Sequence, residues 1–224
     1  TRVTYGLLNL CHRNSHEAPK LLEPGSSYTA KISLNHIAQS FPAGNRLRLS
    51  LSTSYWPLAW PPPQPTRLTL YTGTSHLELP VRQPRASDQN LRPFEKPEGA
   101  PSLATRQVKP QNHQWRVIRD LAEEKSTLEV KIDNGTTCFE EIDWTVTNQA
   151  QEWYSFERDQ FTSVSGETHW TRRFQRGKWD VKIVTRTLLT SSETYFKLHA
   201  EMDAWEKDKR VFARNWHYEI PRNY

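Results

Sequence analysis

The clearest pattern in this chain is the run Phe41-Pro42-Ala43-Gly44-Asn45-Arg46-Leu47-Arg48-Leu49-Ser50-Leu51-Ser52-Thr53-Ser54-Tyr55-Trp56-Pro57. It opens with a turn over residues 42–45. Leu47, Leu49 and Leu51 then alternate with polar residues, which is the period of a strand with one apolar side. The alternation ends at aromatic residues and a proline. The run therefore predicts a β-strand that belongs to a sandwich or a barrel.

Short strand patterns recur through the first 85 residues. They are predicted at residues 5–10, 27–35, 46–53, 66–71 and 76–81. The following stretch, residues 83–111, is polar and rich in proline and shows no hydrophobic period. Such a composition is typical of a linker or of an arm that lies across a surface.

The second half of the chain alternates over longer segments that are joined by short turns. Strands are predicted at residues 115–120, 128–133, 137–147, 153–162, 167–174, 179–189, 195–205 and 210–220. Asn134-Gly135 is a dipeptide that favours a hairpin turn. We expect an antiparallel meander, forming a curved sheet or partial barrel. Its tryptophans are expected to fill the concave side; they are Trp153, Trp170, Trp179, Trp205 and Trp216.

Charge and hydropathy argue against two classes of partner. The net charge is +5, but basic and acidic residues are interspersed, as in Glu157-Arg158-Asp159. A surface that follows phosphates needs clustered Lys and Arg, so we expect no nucleic acid. No apolar run approaches the roughly 20 residues of a membrane span, so we expect no membrane partner.

The two cysteines and the start of the chain bear on its location. Cys11 and Cys138 lie far apart in sequence, so we expect free thiols rather than a disulfide framework, and a reducing cytoplasm. The start, Thr1-Arg2-Val3-Thr4, shows no signal peptide and no initiator Met. We expect an engineered start, a proteolytic cut or a mature fragment.

The first 85 residues resemble a known family. The segments Tyr5–Leu10, Ser15–Pro19, Leu21–Tyr28, Phe41–Pro57 and Ser75–Val81 are similar, in order and spacing, to the C-terminal β-domain of the CocE/NonD hydrolases. This family includes cocaine esterase, α-amino-acid ester hydrolases and X-Pro dipeptidyl-peptidases. The resemblance implies a partial jelly-roll, a β-sandwich of galactose-binding-like type.

The resemblance and the alternation together predict an all-β chain in three parts. Residues 1–85 are the partial jelly-roll, residues 86–112 the arm and residues 113–224 the meander. Family jelly-rolls carry several strands before the region of Tyr5, so the sandwich here is expected to expose strand edges and an apolar face. We expect it to be completed by the chain's own meander, by a second copy in a homo-oligomer, or by an α/β-hydrolase catalytic domain or segment.

Catalytic chemistry of the family requires a serine on a Gly-x-Ser-x-Gly turn. The sequence contains no such turn, and Gly25-Ser26-Ser27 lies in a β-turn context without a following helix. We therefore predict no catalytic residue, no cofactor-binding residue and no metal ligand in this chain. His12, His16 and Glu17 are interpreted as a polar loop, because a metal site needs convergent ligands.

Two further groups of polar residues lie in the second half. Glu140, Glu141 and Asp143 near Trp144 are compatible with a sugar site, but a strand would divide them between its two sides, so we interpret them as a solvated strand. His199 and His217 would face each other if their strands are neighbours. Cross-strand polar pairs of that kind are common without function.

Three functions remain open from the sequence. The leading hypothesis is a non-catalytic C-terminal part of a CocE/NonD-type, X-Pro dipeptidyl-peptidase-like serine hydrolase, which supports assembly and the shape of the substrate cleft. The parent would cleave esters or amides. An alternative is a carbohydrate-binding module that uses exposed tryptophans, and another is a lipocalin-like pocket for a small apolar ligand in residues 113–224.

Overall fold

The computed structural model describes residues 2–222, and its regular structure is all-β apart from four short 3-10 helices. The helices are Leu10–His12, Ala86–Asn90, Glu140–Ile142 and Phe161–Ser163. The eight strands are β1 (Thr105–Lys109), β2 (Asn112–Asp120), β3 (Lys125–Phe139), β4 (Trp144–Glu157), β5 (Ser165–Arg176), β6 (Trp179–Ser191), β7 (Tyr195–Glu206) and β8 (Lys209–Pro221).

All eight strands belong to one antiparallel sheet with the order β1-β3-β4-β5-β6-β7-β8. Strand β2 also pairs with β3, so β1 and β2 share one edge of the sheet and β8 forms the other. From β3 onward each strand pairs with its neighbour in sequence. The predicted antiparallel meander is confirmed, and strands β5 to β8 lie within a few residues of their predicted positions.

The predicted hairpin at Asn134-Gly135 is wrong, because β3 passes through this dipeptide without turning back. The register between β3 and β4 shifts between Asp133 and Thr136, as in a β-bulge. Gly135 has φ +68° here, and a Cβ on it would lie 2.1 Å from the carbonyl oxygen of Lys109. Because glycine adopts positive φ readily, Gly135 allows a bulge in β3 next to the corner between β1 and β2.

The bulge is held by the side chain of Asp133, which is buried. Its carboxylate accepts hydrogen bonds from Gly135 N at 2.9 Å, from Gln149 Nε2 at 3.0 Å and from Lys109 Nζ at 3.2 Å. These bonds tie β1, β3 and β4 together at the point where the ladder is interrupted.

The two faces of the sheet differ in character, since side chains alternate between them along each strand. The face that carries Glu129, Trp153, Glu167, Leu188 and His199 in consecutive register positions is mainly charged and polar, and we call it the polar face. The other is called the apolar face; its register row includes Leu128, Tyr154, Gly166, Leu189 and Leu198.

The expectation that five tryptophans share the concave side is wrong. Trp153 and Trp205 lie on the polar face, whereas Trp170 and Trp216 lie on the apolar face. Trp205 packs against a cation, with Lys182 Nζ 4.2 Å from its ring centroid. The aromatic residues therefore serve two surfaces rather than one.

An aromatic cluster covers one end of the apolar face. Trp56 and Trp60 meet edge to face with ring centroids 4.9 Å apart, and Trp56 contacts Tyr154 at 5.9 Å. Trp60 contacts Phe196 at 5.6 Å and donates from Nε1 to Ser191 Oγ at 2.8 Å. The segment around residue 60 is thereby anchored to β4, β6 and β7.

None of the five strands predicted in the first 85 residues forms a ladder, and residues 2–104 carry no assigned strand. One backbone hydrogen bond does join two of the predicted segments, from Asn35 N to the oxygen of Tyr5 at 3.0 Å. A ladder requires a series of backbone hydrogen bonds in register, and no strand is assigned to these segments in the described residues. The jelly-roll in residues 1–85 stays a prediction.

The contacts between Cα atoms divide the chain into two compact units, residues 2–52 with Arg222 and residues 53–221. The sheet lies entirely in the second unit. The division of the sequence into parts 1–85, 86–112 and 113–224 stays a prediction. Over residues 2–222, no helix has both the length and the apolar character required to cross a membrane.

Candidate functional site

A chain of polar contacts crosses the polar face from β2 to β8. At its first end, Arg116 Nε donates to Glu129 Oε1 at 3.0 Å, and Trp153 Nε1 donates to the other oxygen of Glu129 at 3.0 Å. The ring of Trp153 meets His169 edge to face, with centroids 5.1 Å apart. Side-chain contacts thus link strands β2, β3, β4 and β5 in addition to their backbone ladders.

The second half of this chain of contacts begins at Glu167. Its Oε1 lies 2.8 Å from His169 Nε2 and accepts a hydrogen bond from Arg186 Nε at 2.6 Å. Arg186 also reaches Glu201 at 3.5 Å, and Glu201 lies 2.6 Å from His199 Nε2. We call this set, from Arg116 to His199 and its neighbour His217, the polar network.

Three carboxylates of the polar face, those of Glu129, Asp133 and Glu167, have pKa values that their partners hold below the ordinary values. Hydrogen bonds from Arg116 and then from Trp153 lower the pKa of Glu129. Burial alone would raise the pKa of Glu167, but the hydrogen bonds from His169 and Arg186 outweigh it and lower the pKa. The pKa of Asp133 is likewise lowered, because its three donors overcome the effect of burial.

We expect the protein to lose stability in acid because of these carboxylates. Their folded pKa values lie below those of the unfolded chain, which are about 3.9 for Asp and 4.3 for Glu. Their contribution is present in full above the unfolded values and is lost as pH falls through the folded ones. Urea unfolding between pH 7 and pH 3 should show a free energy that is nearly level at first and falls below about pH 4.5.

A matched pair of variants tests the assignment. Glu129→Gln should flatten the fall between pH 4.5 and 3, because one of the responsible groups is removed. Glu123→Gln, at an exposed turn, should leave the profile as in the wild type. Identical slopes for the wild type and Glu129→Gln would contradict the role given to Glu129.

The acidic group near Trp144 does not form the arrangement expected from sequence. Glu140 to Ile142 form a 3-10 turn and Asp143 has φ +48°, so the predicted division between two sides of a strand is wrong. Glu140 pairs with Arg106 at 3.2 Å, and Asp143 accepts a hydrogen bond from Gly177 N at 3.2 Å. Both carboxylates act as links between neighbouring turns and strands.

The predicted polar loop near the start of the chain lies in the first unit. His12 and His16 approach each other, with ring centroids 5.3 Å apart. Ser15 Oγ accepts hydrogen bonds from the backbone of Glu17 and Ala18 at 3.1 Å, which closes the turn. Within residues 2–222, no group of three or more His, Cys, Asp or Glu side chains converges to hold a metal ion.

Several leucines that alternate with polar residues in the first 85 residues are exposed. Leu47, Leu49 and Leu51 are 56%, 56% and 57% exposed. In the other unit, Leu68 and Leu70 are also exposed, as are Leu77 and Leu79. Alternating leucines are typical of a strand that packs on a partner, so these rows are candidate docking surfaces.

Sequence reasoning found some of this site and missed the rest. The facing of His199 and His217 was anticipated and is confirmed, with the two Nδ1 atoms 3.0 Å apart. The other pairings of the polar network were missed, because they depend on the register between strands. The signal that could have found them is the recurrence of an acidic residue two positions from a histidine, as in Glu167 and His169 or Glu201 and His199.

The comparisons with known proteins bear on the first half of the chain. Residues 1–117, just over half of the sequence, match the family model of the X-Pro dipeptidyl-peptidase C-terminal non-catalytic domain. Searches of curated proteins and of solved structures found no match.

Proposed function

Because the chain belongs to the X-Pro dipeptidyl-peptidase C-terminal non-catalytic domain family, we propose that it supports the assembly and the substrate-cleft shape of a serine hydrolase. The parent enzyme of the proposal cleaves esters or amides, X-Pro peptides among them. The chain itself supplies no catalytic residue, and its partner is an α/β-hydrolase catalytic domain. The two cysteines, both free thiols, are compatible with a reducing cytoplasm.

The observation that supports this role is the exposed leucine row at residues 47–51. It lies within the residues that match the family, and each of its three leucines is more than half exposed. Burying one leucine side chain contributes roughly 1.5–3 kcal/mol. A catalytic domain that covers the row would therefore gain affinity from it and be positioned by it.

Binding to a catalytic domain tests the proposal. The chain is titrated with an α/β-hydrolase catalytic domain of the X-Pro dipeptidyl-peptidase class, and the dissociation constant is measured by calorimetry. Leu49→Glu should weaken binding about ten- to a hundredfold, because a charge replaces a buried leucine. Ser50→Glu, at the neighbouring position of the alternation, is the matched control and should bind as the wild type does.

Two results would count against the proposal. Equal binding by Leu49→Glu and Ser50→Glu would show that the leucine row is not the docking surface. Labelling of this chain by a serine-reactive fluorophosphonate, read by intact mass, would reveal a nucleophilic serine and contradict the non-catalytic role. The carbohydrate-binding and apolar-ligand alternatives stay predictions from the sequence.

A further inference from the structure

His199 on β7 and His217 on β8 are directly opposite each other in the sheet. Their ring centroids are 4.3 Å apart, and the two Nδ1 atoms face each other at 3.0 Å. A register shift between Ala204 and Trp205 brings the two histidines opposite each other, because the ladder skips Val211 on β8. If the register at the turn between β7 and β8 continued without this shift, Trp216 would lie opposite His199.

The protonation pattern of His199 is fixed by its other ring nitrogen. Nε2 lies 2.6 Å from Glu201 Oε1, and a carboxylate accepts hydrogen bonds but cannot donate them. Nε2 therefore carries a hydrogen, which leaves the Nδ1 lone pair of a neutral His199 directed at His217. Glu201 is itself held by Arg186, so the orientation of the ring rests on two fixed contacts.

The separation of the two Nδ1 atoms is close to that of two imidazole nitrogens bound to one metal ion. Tetrahedral coordination with metal–nitrogen bonds of about 2.0–2.1 Å places two ligand nitrogens roughly 3.3 Å apart. The observed 3.0 Å is close to this value, and a small rotation of either ring supplies the difference. We propose that His199 and His217 form a two-histidine site for a divalent first-row transition-metal ion, with Glu201 as its positioning residue.

The hydrogen bond from His199 to Glu201 is an arrangement that is common in metal centres. Ligating histidines commonly donate their second N–H to a carboxylate, which fixes the tautomer and strengthens the ligand. When the ion binds, His217 moves its hydrogen from Nδ1 to Nε2, so both Nδ1 atoms become ligands without net release of a proton. Imidazole ligands suit Zn²⁺, Ni²⁺ and Cu²⁺, with Cu²⁺ bound most tightly.

The surroundings leave room for the remaining ligands. The pair lines an open depression of about 380 Å³ together with Leu188, Thr190 and the ion pair of Lys197 with Glu219. Lys197 and Glu219 lie 3.7 Å apart, so their charges offset each other beside the site. Water or a small anion completes the coordination beside the two histidines.

Calorimetry with Zn²⁺ and, separately, with Cu²⁺ tests the site on the full chain without a histidine tag. We expect one ion per chain, bound more tightly for Cu²⁺ than for Zn²⁺. His217→Gln should abolish this binding. Glu201→Gln should weaken it about ten- to a hundredfold, as expected of a positioning carboxylate. Melting temperatures of the metal-free variants show whether a loss reflects unfolding.

His169→Gln is the matched control. His169 lies on the same face and also contacts a carboxylate, Glu167, but the residue opposite it is Arg186 rather than a histidine. This variant should bind the ion as the wild type does. Loss of binding in His169→Gln would overturn the proposal. So would loss of binding in His12→Gln combined with unchanged binding in His217→Gln.

Electron paramagnetic resonance of the Cu²⁺ complex gives an answer that needs no substitution. Two imidazole nitrogens should couple to the copper. A spectrum with one or no nitrogen would overturn the proposal, as would the absence of binding in calorimetry. The site is independent of the function proposed above, so docking to a hydrolase domain and metal binding can succeed or fail separately.

Discussion

Gly135→Ala is expected to lower the free energy of unfolding by more than about 3 kcal/mol. The new Cβ would lie 2.1 Å from the carbonyl oxygen of Lys109 and 2.7 Å from that of Pro110. Both obstacles are backbone atoms, so relief requires the corner between β1 and β2 to move. The positive φ of +68° adds its own cost for any residue with a side chain. Urea unfolding followed by circular dichroism measures the loss.

Gly177→Ala separates the two causes. Gly177 also has positive φ, +52°, but a Cβ there would meet nothing within 4 Å. This variant should cost only about 1–2 kcal/mol, the usual penalty for the left-handed region. Equal losses in the free energy of unfolding for the two variants would show that the close approach of Lys109 and Pro110 to Gly135 does not contribute.

Trp60→Ala is expected to lower the free energy of unfolding by about 3 kcal/mol, with loss of the anchor on the apolar face. The indole packs against Trp56 and Phe196 and donates to Ser191 at 2.8 Å. Its removal leaves a gap in the aromatic cluster and deprives the 53–65 segment of its contact with β6 and β7. Thermal unfolding followed by tryptophan fluorescence reports the change.

A pair of phenylalanine variants isolates the hydrogen bond. Trp60→Phe keeps an aromatic ring and loses the bond to Ser191, for an expected cost of about 1 kcal/mol beyond the smaller ring. Trp56 Nε1 is buried without a hydrogen-bond partner, so Trp56→Phe loses no such bond and should cost less. If Trp56→Phe lowered the free energy of unfolding more than Trp60→Phe does, packing rather than the hydrogen bond to Ser191 would account for the effect at Trp60.

The long strands of the sheet could be predicted because three signals agree. In β5 to β8 the alternation extends over a dozen residues, β-branched and aromatic residues are frequent, and short polar turns separate the segments. The family of residues 1–117 could also be predicted, from the order of its turn and strand segments. Local patterns of this kind need no knowledge of what lies opposite.

The remaining features depend on register, which local sequence does not determine. Asn134-Gly135 suits a hairpin turn and a bulge equally, and only the approach of Lys109 decides between them. The same holds at the polar network, because Arg186 can pair with Glu167 and Glu201 only after three strands are aligned. In the first 85 residues, alternation predicts strands, but alternation by itself does not determine which segments pair or in what register.

The meander topology has a consequence for how this sheet forms. From β3 to β8 each strand docks on the strand that precedes it in the chain, so the loops to be closed between partners are short. Low contact order of this kind favours rapid folding, with hairpins that can nucleate independently and then join. Within residues 2–222, β8 pairs with β7 alone, so a pulling force applied at β8 would detach the strands one after another.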